Sequence, residues 1–366
     1  MRVCLNLPVN SVSFGQVSTL LLRNFFLKHK EVDTDLFIIG NQVDLSSQEN
    51  LDSTFNKWLE EKINNTLKRH NRDNEALKLW HLHGSLESFS KNQNLFSFYE
   101  LDEPTEEEVN IVKNQKSVIF SSEFSVENFK NKGCSNVKYV PLAFDKYNFN
   151  QTNKKYFNDG RIVFNLCGKL EKRKRHEKII KTWIKKFGND KRYFLQCSIF
   201  NPFLKIEDQQ KILSNILNGE RYFNVSFLGA MQKNSAYNDY LNSANIIIGM
   251  SGGEGWGLPE FHSVALGKHG IIMDAHGYKG WANQKNSILV KPSLEKIDST
   301  DGMFFQKGSP FNQGSFYDFE EEEFISACEE AIKRSEKDPL NSEGLKLQND
   351  FSDEKMFDNI LNIIKE

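Results

Sequence analysis

The chain opens with RVCLNLPV, a short apolar run, then passes through the polar stretch NSVSFGQVS into a segment where Val17, Leu20, Leu21 and Phe25 share one helical face. This predicts a strand, a loop and a helix. DLFIIG, LKLWHLH, NLFSFYEL, KSVIFSS and VKYVPLAF follow as strand candidates, with LDSTFNKWLEEKINNTLKRH and SVENFKNKG as helices between some of them. Strands alternating with helices predict a parallel sheet covered on both faces. After Phe144 the segment DKYNFNQTNKKYFNDG is polar and aperiodic, the pattern of a linker. The alternation then restarts with RIVFNLCG, RYFLQCSIF, FNVSFLG, ANIIIGM, HGIIMD and SILVKPS, a second parallel α/β unit. FEEEEFISACEEAIKRSEK and DEKMFDNILNIIKE read as amphipathic helices. The expected organisation is a first domain over residues 1–150, a second over 151–345, and a closing helix within 346–366 that crosses back to the first domain. Two such units leave a cleft between the carboxyl ends of their strands, where open α/β sheets bind ligands.

Composition narrows the class. The 366 residues carry 47 Lys+Arg against 49 Asp+Glu, and 39% are apolar, which is enough for two cores and excludes a disordered polyelectrolyte. No stretch approaches the roughly 20 apolar residues of a membrane span, and MRVCLNLPVN lacks the pattern of a signal peptide. A cytoplasmic location is expected, in the host cell if the source is viral. Five scattered cysteines, Cys4, Cys134, Cys167, Cys197 and Cys328, read as buried thiols. Asp33-Thr34-Asp35 has the acidic spacing of a metal site but precedes a strand at the wrong sheet end, and reads as a turn.

Two segments carry candidate chemistry. SGGEGWGLPEFHSVALG, from Ser251, follows the strand NIIIGM; its glycines let the backbone turn sharply, Pro259 suits a first helical turn, and the helix start offers free N–H groups to an anion. Glu254 inside this loop would oppose a phosphate but accept hydrogen bonds from sugar hydroxyls, although a tight turn with a solvated Glu fits equally. GKLEKRKRHEK, from Gly168, begins at the end of RIVFNLC, so its cations start in the cleft, where Lys169 and Lys174 could hold one diphosphate. On an ordinary helix such a charge run is a solvated face.

Together, GKLEKRKRHEKII and EGWGLPEFHSVALG resemble the donor-site pattern of retaining glycosyltransferases of family 4. SSEFSVENFKNKGCSNVKYVPLAFD and FLGAMQKNSAYNDYLNSANIIIGMS add to the resemblance, which spans about residues 95–290. It implies an α/β protein of GT-B fold, with two Rossmann-like parallel-sheet domains facing a central cleft. It also implies transfer of a hexose from a UDP- or GDP-sugar, UDP-glucose being one candidate, with retention of configuration and no required metal or cofactor. By that resemblance Lys169 and Lys174 would hold the diphosphate, Glu254 the donor sugar, and the N–H groups of Gly255, Trp256, Gly257 and Leu258 its phosphate or hydroxyls. Ser198 to Phe200 would contact the base, and Gly15 would let the backbone of the first loop approach the phosphate.

The sequence departs from the family pattern at two places. A second Glu is expected eight residues after Glu254, where this chain has His262, a possible ribose contact, with Glu260 two residues early. The usual cleft His of the first domain is replaced by Glu100 or Tyr99, while His83, beside Gly84, is a further candidate and His81 reads equally as structural. The acceptor is expected to be a glycan or lipid-linked glycan. Modified DNA, as for viral enzymes acting on hydroxymethylated bases, is the alternative, although no basic face marks the first domain. A nucleotide-sugar epimerase, a phosphorylase and a binding protein that has lost catalysis are competing classes, and the oligomeric state is open.

Overall fold

The structure is a computed structural model and describes residues 1–40, 42–293, 297, 298, 300 and 304–366. The first lobe runs β1 (Arg2–Pro8), α1 (Ser13–Leu27), β2 (Asp33–Ile39), α2 (Ser53–Arg69), β3 (Glu75–Leu79), β4 (Asn92–Ser97), α3 (Glu106–Lys113), β5 (Ser117–Phe120), α4 (Glu123–Asn131) and β6 (Val137–Tyr139). Its sheet is parallel, in the order β2-β1-β3-β4-β5-β6. The second lobe runs β7 (Ile162–Lys169), α5 (His176–Phe187), β8 (Tyr193–Phe200), α6 (Ile206–Ile216), β9 (Val225–Leu228), α7 (Asn234–Ser243), β10 (Ile246–Gly249), α8 (Leu258–Ala265), β11 (His269–Met273) and β12 (Ser287–Val290). Its parallel sheet is ordered β12-β11-β10-β7-β8-β9. A short antiparallel pair, β13 (Ile297–Asp298) and β14 (Ser315–Phe316), precedes α9 (Glu321–Lys337), α10 (Ser342–Leu345), α11 (Leu347–Asp350) and α12 (Asp353–Lys365).

Each predicted strand exists, but several are shorter than their apolar runs. LKLWHLH stops pairing after Leu79 and NLFSFYEL after Ser97, because the parallel register ends there, at Leu79↔Phe96 and Ser97↔Phe120. The remaining residues, Trp80 to His83 and Phe98 to Leu101, therefore hang over the carboxyl end of the sheet. VKYVPLAF ends at Tyr139, since Pro141 has no N–H to give a ladder. The Asp33-Thr34-Asp35 segment is not a turn but the start of β2. Asp33 pairs with Arg2 on the neighbouring strand at 2.6 Å and with Lys62 at 3.3 Å, and Thr34 and Asp35 are buried. The helix after the first strand begins at Ser13, so Gly15 lies in α1 and not in the loop before it.

The polar segment after Phe144 has no regular structure, and asparagines of α7 hold it in place. Asn238 and Asn242 accept from the N–H groups of Asn150 and Thr152 through their side-chain oxygens, at 3.1 and 2.9 Å. Beyond it, α12 lies on α1 of the first lobe. Ser352 caps its start, the Phe357 ring meets Phe25 edge-on at 4.6 Å, and the buried Asp353 takes Lys28 and Lys146 at 3.0 and 2.8 Å. All five cysteines are free and buried. No described helix is long and apolar enough to cross a membrane.

Candidate active site between the lobes

The basic run starts as β7 ends. Gly168, at φ 130°, turns the chain so that the Lys174 side chain lies along it, with Cε 3.4 Å from where a Cβ would be. Residues Lys172–Lys174 form one turn of 3-10 helix, and Arg175 leaves it in the left-handed region at φ 56°, an uncommon conformation for a branched-out cation. The turn folds Arg173 and Lys174 inward, and both are buried.

Arg173 is the centre of the cluster. Its guanidinium meets Glu254 at 2.8 Å, Glu171 at 2.9 Å and, across the cleft, Glu100 of the first lobe at 3.1 Å, and it donates to the Gly253 carbonyl at 2.6 Å. Lys174 pairs directly with Glu254. Burial alone would push the Glu254 carboxyl up, but Lys174 and then Arg173 draw it down to about 2. Burial opposes the Lys174 charge, yet Glu254 and then Glu260 hold its affinity for the proton above the ordinary lysine range. Glu100 is pushed up by burial, with Glu254 and Glu171 adding to the effect and Arg173 opposing it. Lys169 takes another partner: its ammonium pairs with Glu171 at 3.0 Å and lies 4.9 Å from the Phe304 ring centre and 5.5 Å from that of Phe203. The two lysines thus belong to one charge network, in which Glu171 and Arg173 stand between Lys169 and Glu254.

The glycine loop forms the facing wall. Its backbone is tied on several sides: Gly252 N–H donates to Arg173 O at 2.7 Å, Gly277 N–H to Glu254 O at 3.0 Å, and Tyr317 N–H to Gly252 O at 2.9 Å. Gly257 has φ 83°, and a Cβ there would be 2.1 Å from the Tyr278 ring, so position and space both demand glycine. Trp256 is buried and its carbonyl accepts from the Trp281 indole at 2.9 Å. Leu258 and Pro259 begin α8, whose first N–H groups have no carbonyl within the helix to reach. The imidazole of His276 holds Ser251 O at 2.8 Å, and its burial pulls its proton affinity down to about 4, so it is neutral near pH 7.

The first lobe closes over this wall. The Ser121 hydroxyl donates to Gly255 O at 2.8 Å, and a Cβ on Gly255 would be 3.0 Å from Cβ of Phe98. His83 is exposed, with its ring edge-on to Phe311 at 4.9 Å. His81 lies 4.6 Å from Phe14. Gly15 is buried against its own chain, since a Cβ would fall 2.0 Å from Asn10 O. Ser198, near the end of β8, donates to Gly229 O at 3.4 Å. His262 is on α8, packed 4.3 Å from Phe149 and 5.7 Å from Phe144, and burial draws it down to about 3.

Lys169, Lys174 and Glu254 stand out in the sequence, whereas Arg173, Glu171 and the strap formed by residues 304–318 join the site only in the structure. Alternation of Glu171, Arg173 and Lys174 was the available signal: an acid inside a basic run at a strand end has an inward partner to satisfy. The strap had none, because its inter-lobe role depends on Phe316, which belongs to the same buried cluster as first-lobe residues such as Tyr99 and Phe129, and on Ser315 N–H reaching Asp102 at 2.9 Å.

No family model matches the chain, and no curated protein matches it. Solved structures do. A sucrose-phosphate synthase from Thermosynechococcus elongatus superposes with a TM-score of 0.64 at 14% identity, covering 100% of this chain and 98% of that one. HepE from Anabaena, solved in complex with UDP-glucose, gives 0.64 at 13% identity over 100% and 99% of the two chains. A glycosyltransferase from Rickettsia africae gives 0.66 at 11% identity over 100% and 97%. At these identities the likeness establishes the architecture, and the chain has the GT-B fold.

Proposed function

We propose that the protein is a retaining glycosyltransferase that moves a sugar, a hexose by the resemblance, from a nucleoside-diphosphate donor to an acceptor hydroxyl. One observation carries the reading: Lys174, Arg173 and Glu254 converge on a glycine-walled helix start at the carboxyl ends of adjoining strands, with Glu100 across the gap. The fold is shared with the Rickettsia glycosyltransferase and with HepE in its complex with UDP-glucose, which supports a nucleotide sugar as donor. In this reading the diphosphate displaces Glu254 from the two cations and lies against the start of α8, where partial positive charge favours anions. Lys174 and Arg173 stabilise charge developing on the leaving group, so no metal is required. Glu254, once released, accepts hydrogen bonds from the donor sugar, and Glu100 faces the acceptor.

Retention follows from attack on the face that the diphosphate leaves. The bond from anomeric carbon to phosphate oxygen breaks, the acceptor oxygen bonds to that carbon, and the acceptor proton passes to the departing phosphate oxygen. The closed contact between Phe98, Ser121 and the glycine loop excludes water, which favours transfer over hydrolysis. A glycan or lipid-linked glycan is the proposed acceptor. Incubation with UDP-glucose, UDP-galactose and GDP-mannose and a panel of glycosides, followed by NMR of the new anomeric centre, tests the proposal. An α-linked product from an α-linked donor is expected. An inverted product would overturn retention, and donor isomerisation without net transfer would replace the transferase by an epimerase.

A further inference from the structure

Behind the glycine loop lies a carboxyl that the proposed chemistry does not use. Glu260 is the third residue of α8 and is 2% exposed. Two glycines make room for it: a Cβ on Gly249 of β10 would sit 2.7 Å from its Cγ, and one on Gly257 would sit 3.2 Å from its Oε2. That oxygen is buried, and the hydroxyl of Tyr278, whose ring lies beside the same glycine, is the polar group set against the carboxyl. The carboxyl is thus set under the helix start that the donor diphosphate would occupy, within the field of Lys174 and Glu254.

We propose that Glu260 is a positioning residue that makes donor binding proton-linked: as an anion it occupies the positive end of α8 and draws on Lys174, and it takes up a proton when the diphosphate arrives. The inference rests on the proposed donor site. Its physical basis is like-charge repulsion at a site with too few cations, because a diphosphate placed over an ionised, buried Glu260 raises the energy of that anion. Before the donor arrives, Glu260 is the group among these neighbours whose proton affinity lies nearest neutrality. From the loop, Glu254 is held low; from the basic turn, Lys174 is held charged, as is Arg173; from the 276–280 turn, His276 is neutral and the Tyr278 phenol is pushed well up; from α7 and β7, burial pushes Tyr237 and Cys167 up. Burial, opposed by Lys174 and helped by Glu254, brings Glu260 itself to about 7.

Calorimetric titration of the full chain with UDP at pH 7.5, in buffers of different ionisation enthalpy, counts the protons exchanged on binding, and Glu260→Gln is the control. UDP brings its own titrating phosphate to both proteins, so the difference between them isolates the residue. The wild type is expected to take up several tenths of a proton more than Glu260→Gln. The ratio of wild-type to variant dissociation constants should rise several-fold from pH 6 to pH 8.5. Equal proton counts and a flat ratio, with both proteins binding UDP and melting alike, would overturn the inference and leave the donor site standing. Failure of the wild type to bind UDP or GDP would overturn both. Glu260→Asp, which keeps the charge but retracts it, should restore part of the proton uptake, and a merely structural role would not.

Discussion

Arg173 shows how the site is built from single side chains. One guanidinium joins carboxylates from three segments, and its planar fork is suited to that task where an ammonium is not. Arg173→Lys should therefore fold but lose the bridge to Glu100, with transfer falling about 100-fold, a value in the range for removing one preorganised donor. His262 leads to a different expectation. Its neutral ring packs on Phe149 and Phe144, so His262→Ala should lower the melting temperature by several degrees and leave UDP affinity within about twofold; His262→Glu would bury an unpaired charge and destabilise far more. A large loss of UDP affinity in His262→Ala, with stability intact, would return the ring to the ribose. The two buried carboxyls give opposite pH dependences. Glu254 binds its proton less readily when folded, down to about 2 against an ordinary 4.5, so its contribution is complete above about 4.5 and is lost as pH falls toward 2. Glu260 binds its proton more readily when folded, so the unfolded chain loses that proton first and stability falls as pH rises from about 4.5 to about 7. Melting curves of Glu260→Gln should lack that second decline.

Among the elements, the strap formed by residues 304–318 ties the two lobes by a route separate from the linker. Asp102 and Glu108 of the first lobe accept from Ser315 and Asn312 N–H at 2.9 Å each, Thr105 donates to Pro310 O at 2.6 Å, and Tyr317 then binds Gly252 of the glycine loop. Phe316 is fully buried in the first-lobe cluster. Phe316→Ala should cost about 3–5 kcal/mol as a large-to-small core change. It should also raise hydrogen exchange at Gly252 and Tyr317, whereas exchange unchanged at those amides would detach the strap from the loop. The strap also marks where sequence reading stops. Strands such as RIVFNLCG and NIIIGM were legible because a parallel strand buried on both faces must be apolar throughout. The glycine loop was legible because glycine density has a local backbone cause. Phe305 and Phe316, by contrast, earn their burial from residues about 200 positions away, and nothing in their own neighbourhood has a period. For the same reason Lys169 and Lys174 looked equivalent in the sequence, although Glu171 and the rings of Phe203 and Phe304 take one while Glu254 takes the other.

At the scale of the whole molecule, two parallel sheets place their carboxyl ends against each other, and the charge network lies where they meet. The lobes touch at Ser121 and Gly255, at Glu100 and Arg173, through the strap, and at α7, where Asn234 N–H donates to Ser47 O at 2.9 Å. With α12 returning to α1, the lobes are joined around cations that their own carboxylates neutralise, and under the proposed function a nucleoside-diphosphate donor would replace those carboxylates. Calorimetry with UDP and GDP on the wild type and on Lys174→Ala tests this most directly. The account predicts saturable binding of at least one nucleoside diphosphate without added metal, weakened tenfold or more by the substitution, since a charged hydrogen bond to a phosphate is worth about 1.5–3 kcal/mol. Binding of equal strength in Lys174→Ala, or none by the wild type, would contradict it.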